Sequence, residues 1–182
     1  MPNAISLADI RAARERIADS VIHTPLLRLN ADDVVSAASV ASSDIYLKLE
    51  NLQPIGSFKL RGAGNAIAQA SPAQLSEGVY TASAGNMAQG VAWHARRLGI
   101  PCSVIVPDSA PEAKLSAIRR LGGQIIKVPY ATWWQIIVTH QYEGMRGLFV
   151  HPVSDPAVIA GNGSIGLEIL DAMPEVETVL IP

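Results

Sequence analysis

Three short segments carry residue types suited to chemistry. The first is Gly56-Ser57-Phe58-Lys59-Leu60-Arg61-Gly62-Ala63, with Lys59 at the start of a helical stretch. The positive end of a helix disfavours an ammonium ion, and an uncharged amine is what Schiff-base chemistry requires. On spacing alone, the commoner meaning of such a lysine is a solvated surface residue beside a serine cap. The second segment, Ser83-Ala84-Gly85-Asn86-Met87-Ala88-Gln89-Gly90, lies between an extended and a helical stretch. Small residues there let a ligand approach the backbone, and free N–H groups can hold an anion. An ordinary tight turn has the same composition. The third, Ala160-Gly161-Asn162-Gly163-Ser164-Ile165-Gly166-Leu167-Glu168, holds three glycines that allow close helix contacts. Gly161, Gly163 and Gly166 match the spacing of a dinucleotide-binding loop, but no strand directly precedes them and no βαβ unit completes them.

The elements that must position these segments alternate between helical and extended patterns. A capping-box-like start at Ser6-Leu7-Ala8-Asp9 predicts a first helix over residues 7–18. Thr24-Pro25 reads as a turn, and Val34 to Ser43 is rich in small residues and weakly patterned. Strands are expected at 45–49, 78–83, 102–106, 125–128, 149–150 and 178–181, from alternation or short apolar runs. Helices are expected at 57–70, from Gly85-Asn86 to Gly99, and from Pro111 to Gly122. Another should open in capping-box form at Thr132-Trp133-Trp134-Gln135, and a last one should run from Pro156 to Met173 with a glycine-rich break at Gly161 to Gly163. Strands spaced by helices of this length imply an α/β fold, a mainly parallel sheet with helices on both faces.

Composition excludes several function classes. The 182 residues carry 14 Lys+Arg against 16 Asp+Glu, a formal net charge of -2, so there is no basic footprint for nucleic acid. Hydrophobic content of 49% with 16% charged residues argues for a packed core rather than disorder. Cys102 is a lone cysteine in an apolar strand, expected to be an inert buried thiol. His23, His94, His140 and His151 lack metal-ligand spacing, so no metal is expected. Asp9, Arg11, Arg14, Glu15, Arg16 and Asp19 interrupt any leader-like apolar run, and no window reaches the roughly 18 apolar residues of a membrane span. A soluble cytoplasmic protein with no membrane partner is expected. Trp133-Trp134, with Ile136 and Ile137, reads as packing.

Taken together, the three segments closely resemble the serine/threonine dehydratase (threonine ammonia-lyase) family, pyridoxal 5'-phosphate enzymes of the tryptophan-synthase-β fold type. Lys48-Leu49-Glu50-Asn51-Leu52-Gln53-Pro54, Val106-Pro107 and His151-Pro152 extend the likeness over most of the chain from about residue 20. The resemblance implies a three-layer α/β fold type II architecture. Residues 1–59 would begin the large cofactor-binding domain, 60–151 would form a complete small domain, and 152–182 would return to an incomplete large one. It implies that Lys59 carries the cofactor as a Schiff base, that Phe58 lies near the ring, and that Asn86 hydrogen-bonds the 3'-hydroxyl. Ser83, Ala84, Gly85, Asn86 and Met87 would receive the substrate carboxylate.

The implied activity is dehydration and deamination of a small β-hydroxy amino acid such as threonine or serine to a 2-oxo acid and ammonia, by a homodimer when intact. Met87 stands where the family usually has His, which suggests a bulkier or more apolar substrate. Asn162 and Ser164 replace the more frequent Gln and Thr. Ala84 replaces the Ser found in related racemases, favouring elimination over racemisation. Family chains continue past a strand like 178–181 into a glycine-rich phosphate loop, so the resemblance implies that roughly the last two-fifths of a usual chain lies beyond Pro182. The alternative is a truncated, catalytically silent chain that acts only as a structural or interaction module.

Overall fold

The computed structural model describes residues 4–29 and 44–181. Helix α1 (Leu7–Ile17) starts at the expected capping box: the Asp9 N–H donates to Ser6 Oγ at 3.2 Å, and the Ser6 N–H donates to the Asp9 carboxylate at 2.9 Å. Two donors that a first turn leaves unpaired are thereby satisfied. Strands β1 (Leu26–Arg28) and β2 (Tyr46–Lys48) pair antiparallel, with Leu27 opposite Leu47. β1 is not foreseen in the sequence, because its Leu-Leu-Arg run has no alternation. The small-residue stretch Val34 to Ser43 lies outside the described residues. A single 3-10 turn at Glu50–Leu52 leads to helix α2 (Lys59–Ala68).

The main sheet follows. Strands β3 (Val79–Ala82), β4 (Cys102–Pro107), β5 (Gln124–Val128) and β6 (Leu148–Phe149) lie in the order β5-β4-β3-β6, every neighbouring pair parallel. The short α3 (Pro72–Leu75) precedes β3, α4 (Asn86–Leu98), α5 (Glu112–Arg120) and α6 (Tyr130–Thr139) run between the strands, and α7 (Pro156–Ala172) follows β6. Successive strand residues point to opposite faces, so each face builds its own core. Val79, Val104 and Val106 join Ala63, Val91, Leu115 and Ile118 on the side of α2, α4 and α5. Tyr80, Ala82, Ile105 and Val128 join Ile136 of α6 on the other. Helices therefore cover both faces, as the alternation requires.

Three expectations are corrected. α7 runs unbroken through Gly161 and Gly163. These glycines do not end the helix but let another approach it: a Cβ on Gly161 would fall 2.6 Å from the Arg61 carbonyl oxygen and 2.8 Å from Gly62 Cα, so α2 and α7 touch backbone to backbone. α6 begins at Tyr130 after Pro129, without a side-chain cap, so Thr132 sits inside the helix rather than opening it. Proline supplies the preset φ, and its carbonyl accepts the Trp133 N–H at 3.0 Å. Residues 178–181 form no strand, and Leu180 and Ile181 are 88% and 84% exposed. A strand needs a neighbour for its N–H and C=O groups, and among the described residues no backbone hydrogen bond reaches this segment.

Trp133 packs against the α6-side core as expected, whereas Trp134 is half exposed. Cys102 is buried, and burial pushes its thiol up to about 12, which makes it inert.

Candidate active site

Helix dipoles and orphan N–H groups decide where an anion can go, so the first turns of α2, α4 and α7 are the place to begin. In α2 every early donor is occupied. The Lys59 N–H donates to Ser57 Oγ at 3.3 Å, Leu60 to Ser57 O at 3.4 Å, Arg61 to Phe58 O at 2.9 Å and Gly62 to Asn162 Oδ1 at 3.0 Å. α7 is capped by its own carboxylate, Asp155 Oδ1 accepting from Ala157 at 2.7 Å and from Val158 at 3.3 Å. α4 differs. Its cap residue, Gly85, has no side chain to offer, and the first-turn N–H groups of Asn86, Met87 and Ala88 have no partner among the described residues. The space above is open, since a Cβ on Gly85 would meet nothing within 4 Å.

Lys59 is brought against this helix by a close backbone approach. Gly90, one turn into α4, lies so near α2 that a Cβ there would sit 3.2 Å from both the Lys59 carbonyl oxygen and Ala63 Cβ. The Lys59 ammonium lies 5.2 Å from the centroid of the half-buried Phe58 ring, and Nζ donates to the Pro152 carbonyl at 3.3 Å. Burial lowers its pKa below the ordinary lysine value. The sequence reading attributed such a shift to the helix terminus. Loss of water is the cause, because the polypeptide around the amine is less able than water to stabilise its charge.

The other expected residues divide. Ser83 Oγ accepts the Gly85 N–H at 3.2 Å and so shapes the turn itself. Ser83, Ala84 and Gly85 are half-buried, and Asn86 is exposed with its amide free for a ligand. Met87 is 2% exposed and belongs to the core with Ala63, Val91 and Val104. Its backbone N–H faces the open helix end, while its thioether packs inward. A side-chain contribution to substrate choice has no basis in this geometry.

Sequence reasoning missed the support beneath the lysine. Arg61, fully buried, forms paired hydrogen bonds with two carboxylates: Nε and Nη2 to Glu50 at 2.8 Å each, and Nη1 and Nη2 to Glu168 at 2.6 and 2.9 Å. Lys48 Nζ adds a contact to Glu168 at 2.5 Å, and Thr24 Oγ1 donates to Glu50 at 2.6 Å. Paired guanidinium–carboxylate geometry is what makes a buried charge tolerable. The available signal was the presence of Arg61 and Glu168 in otherwise apolar, glycine-rich helices. Thr81 Oγ1, two residues before Ser83 on β3, is buried without a hydrogen-bond partner. Among the described residues no group of three or more His, Cys, Asp or Glu could hold a metal, and no helix is long and apolar enough to cross a membrane.

The donor set fits pyridoxal phosphate at its reactive end: a desolvated primary amine, an aromatic ring beside it, an open helix terminus for a carboxylate and a free amide at Asn86. Comparison with known proteins points the same way. The chain is 44% identical over 180 residues to an L-threonine ammonia-lyase of Thermotoga maritima, covering 98% of this chain and 43% of that one. It is 40% identical over 181 residues to a catabolic L-threonine dehydratase of Staphylococcus aureus (strain USA300), covering 98% and 51%. It therefore spans about half the length of the curated relatives it matches. Among solved structures it resembles maize serine racemase, with a TM-score of 0.83, 32% identity and coverage of 95% and 51%. It also resembles the processed threonine deaminase isoform 2 of Solanum lycopersicum, with a TM-score of 0.75, 32% identity and coverage of 93% and 45%. Residues 17–182, which hold all three chemistry-bearing segments, match the family described as pyridoxal-phosphate dependent enzyme. With that match and this fold, the chain belongs to the pyridoxal-phosphate dependent enzymes.

Proposed function

We propose that the intact polypeptide carrying these residues dehydrates and deaminates a small β-hydroxy amino acid, threonine or serine, to a 2-oxo acid and ammonia. When bound, the cofactor supplies an electron sink for charge developing at the substrate α-carbon. Lys59 is the residue that would hold it covalently, with Phe58 beside the ring and Asn86 donating to the ring hydroxyl. The open end of α4, at Ser83, Ala84, Gly85, Asn86 and Met87, would bind the substrate carboxylate through backbone N–H groups. With substrate bound, the Lys59 amine would be the base that takes the α-proton. The β-hydroxyl would leave with a proton as water, and hydrolysis of the resulting imine would consume one water to give the 2-oxo acid and ammonia. Ala84 offers no hydroxyl for proton return on the opposite face, which favours elimination over racemisation. Division of the chain near residues 60 and 151 into a small domain set between parts of a larger one belongs to the same reading.

The observation that carries this proposal is the desolvated Lys59 amine, on a helix whose backbone packs closely against α4, together with the uncapped start of α4. Borohydride reduction in the presence of pyridoxal phosphate, followed by peptide mapping, is expected to place the label on Lys59. Label on Lys48 or Lys114 instead, or no 2-oxo acid from threonine or serine with the intact polypeptide, would reject it.

A further inference from the structure

The Lys59 amine is anchored by a backbone carbonyl, and that carbonyl belongs to a turn built around one imidazole. Val153 and Ser154 both donate their N–H groups to His151 Nδ1, at 3.1 and 2.8 Å. A ring nitrogen that accepts carries no proton, so the proton of the neutral ring is on Nε2. Nε2 lies 3.1 Å from the Ile137 carbonyl of α6, to which it donates. His151 is 4% exposed, stacks on the His140 ring at a centroid distance of 4.3 Å and meets Phe149 edge-on. Both ring nitrogens are thus committed, one to α6 and one to the turn. Pro152, enclosed by that turn, has no N–H of its own, and its carbonyl accepts from Lys59 Nζ.

We propose that His151 is a positioning residue for Lys59: as the neutral Nε2–H imidazole, it fixes the turn whose Pro152 carbonyl holds the Lys59 amine beside Phe58. The charged and titratable groups facing it are His140, at the end of α6, and Asp155, which caps α7. Burial, with a smaller contribution from His140, favours the neutral ring, against the Ile137 hydrogen bond and Asp155. Protonation would put a hydrogen on Nδ1, where the Ser154 Oγ at 3.1 Å could accept it, but would oppose it to two backbone donors. With the turn released, the Lys59 side chain reaches water and loses the desolvation that lowers its pKa.

The inference rests on Lys59 as the reactive amine, and its test needs no cofactor. Competitive labelling with acetic anhydride across the alkaline range, read by peptide mapping, gives the titration midpoint of Lys59 alone. In His151→Ala the midpoint is expected to rise toward the ordinary lysine value. Labelling near neutral pH then falls about tenfold for each pH unit gained. In His151→Asn the midpoint should stay at the wild-type value, since Asn Oδ1 is also bonded to Cγ and accepts from the same two N–H groups, as in an Asx turn.

A wild-type midpoint in His151→Ala, or a shift in His151→Asn as large as in the alanine variant, overturns the proposal. Should the alanine variant fail to fold, 15N spectra of histidine-labelled unsubstituted protein decide it: an unprotonated Nδ1 at neutral pH is expected, and a protonated one is fatal. These outcomes are independent of the pyridoxyl label, whose appearance on another lysine would overturn the proposed function while leaving the anhydride midpoints readable.

Discussion

Met87 illustrates how one side chain can be adjacent to a site in sequence and still face away from it. The motif reading gave its thioether a part in substrate choice, yet the side chain is 2% exposed among Ala63, Val91 and Val104. Ser83 to Gly85 are half-buried in the turn that leaves the strand, and Asn86, the first residue of α4, is exposed, whereas Met87, one position further along the helix, turns inward. Met87→Ala is accordingly expected to cost about 2–5 kcal/mol of stability through the cavity it leaves, seen as a lower urea midpoint. The preference between serine and a larger β-hydroxy amino acid should not move. A variant of wild-type stability with altered preference would show that the side chain does reach substrate.

At the scale of elements, the site depends on how closely α2 lies between α4 and α7. Gly90 admits Lys59 to one side, where a methyl group would be tight, and Gly161 admits Arg61 and Gly62 to the other, where there is no room for one. At Gly161 the obstruction is backbone, which a rotamer change cannot relieve. Gly161→Val should therefore cost about 3 kcal/mol by overpacking. Because α2 must shift to accommodate it, borohydride labelling at Lys59 should weaken as well. A variant that keeps the wild-type urea midpoint would show that the two helices are not held at this distance in solution.

For the molecule as a whole, buried titratable groups set how it responds to acid: His94 and, in the same upper range, His151, then Glu168 at lower pH. His94, 5% exposed with its ring on the Leu60 carbonyl at 2.9 Å, is lowered from 6.5 to about 4, first by burial and further by Arg97, against the Leu60 hydrogen bond. An unfolded chain takes up a proton that the folded one refuses. The folded state thus keeps its full advantage above pH 6.5 and loses it progressively as pH falls toward about 4. The loss is on the order of 3 kcal/mol. For Glu168, burial pulls its pKa upward, but hydrogen bonds from Arg61 and Lys48 outweigh burial and hold it below the ordinary value of 4.5. Its contribution is present above that value and disappears only below it. Urea midpoints measured at about pH 7, 5, 4 and 3 should fall throughout, and His94→Gln should lessen the fall between about pH 7 and 4 while leaving the part below it. An unchanged slope in that variant would assign the upper window to another group.

Alternation of apolar and polar residues, glycine and proline punctuation and the Ser6 capping box are local quantities. From them the sequence determined the α/β class, the strands of the parallel sheet and the helices that separate them, to within a residue or two. The same holds for the segments around Lys59, Ser83 to Met87 and Gly161, whose residue types were legible before any contact was known. Tertiary structure decided what those residues face. Whether Gly161 breaks a helix or admits a neighbour depends on α2, which comes a hundred residues earlier in the chain. That Lys59 is anchored by Pro152, that Arg61 unites Glu50 with Glu168, and that residues 178–181 stay unpaired are all matters of which chain segment arrives alongside. Periodicity records how a segment meets its own next turn. Burial, hydrogen-bond partners and the pKa shifts they cause are properties of encounters between segments distant in sequence, and the chemistry assigned to this chain depends on those encounters.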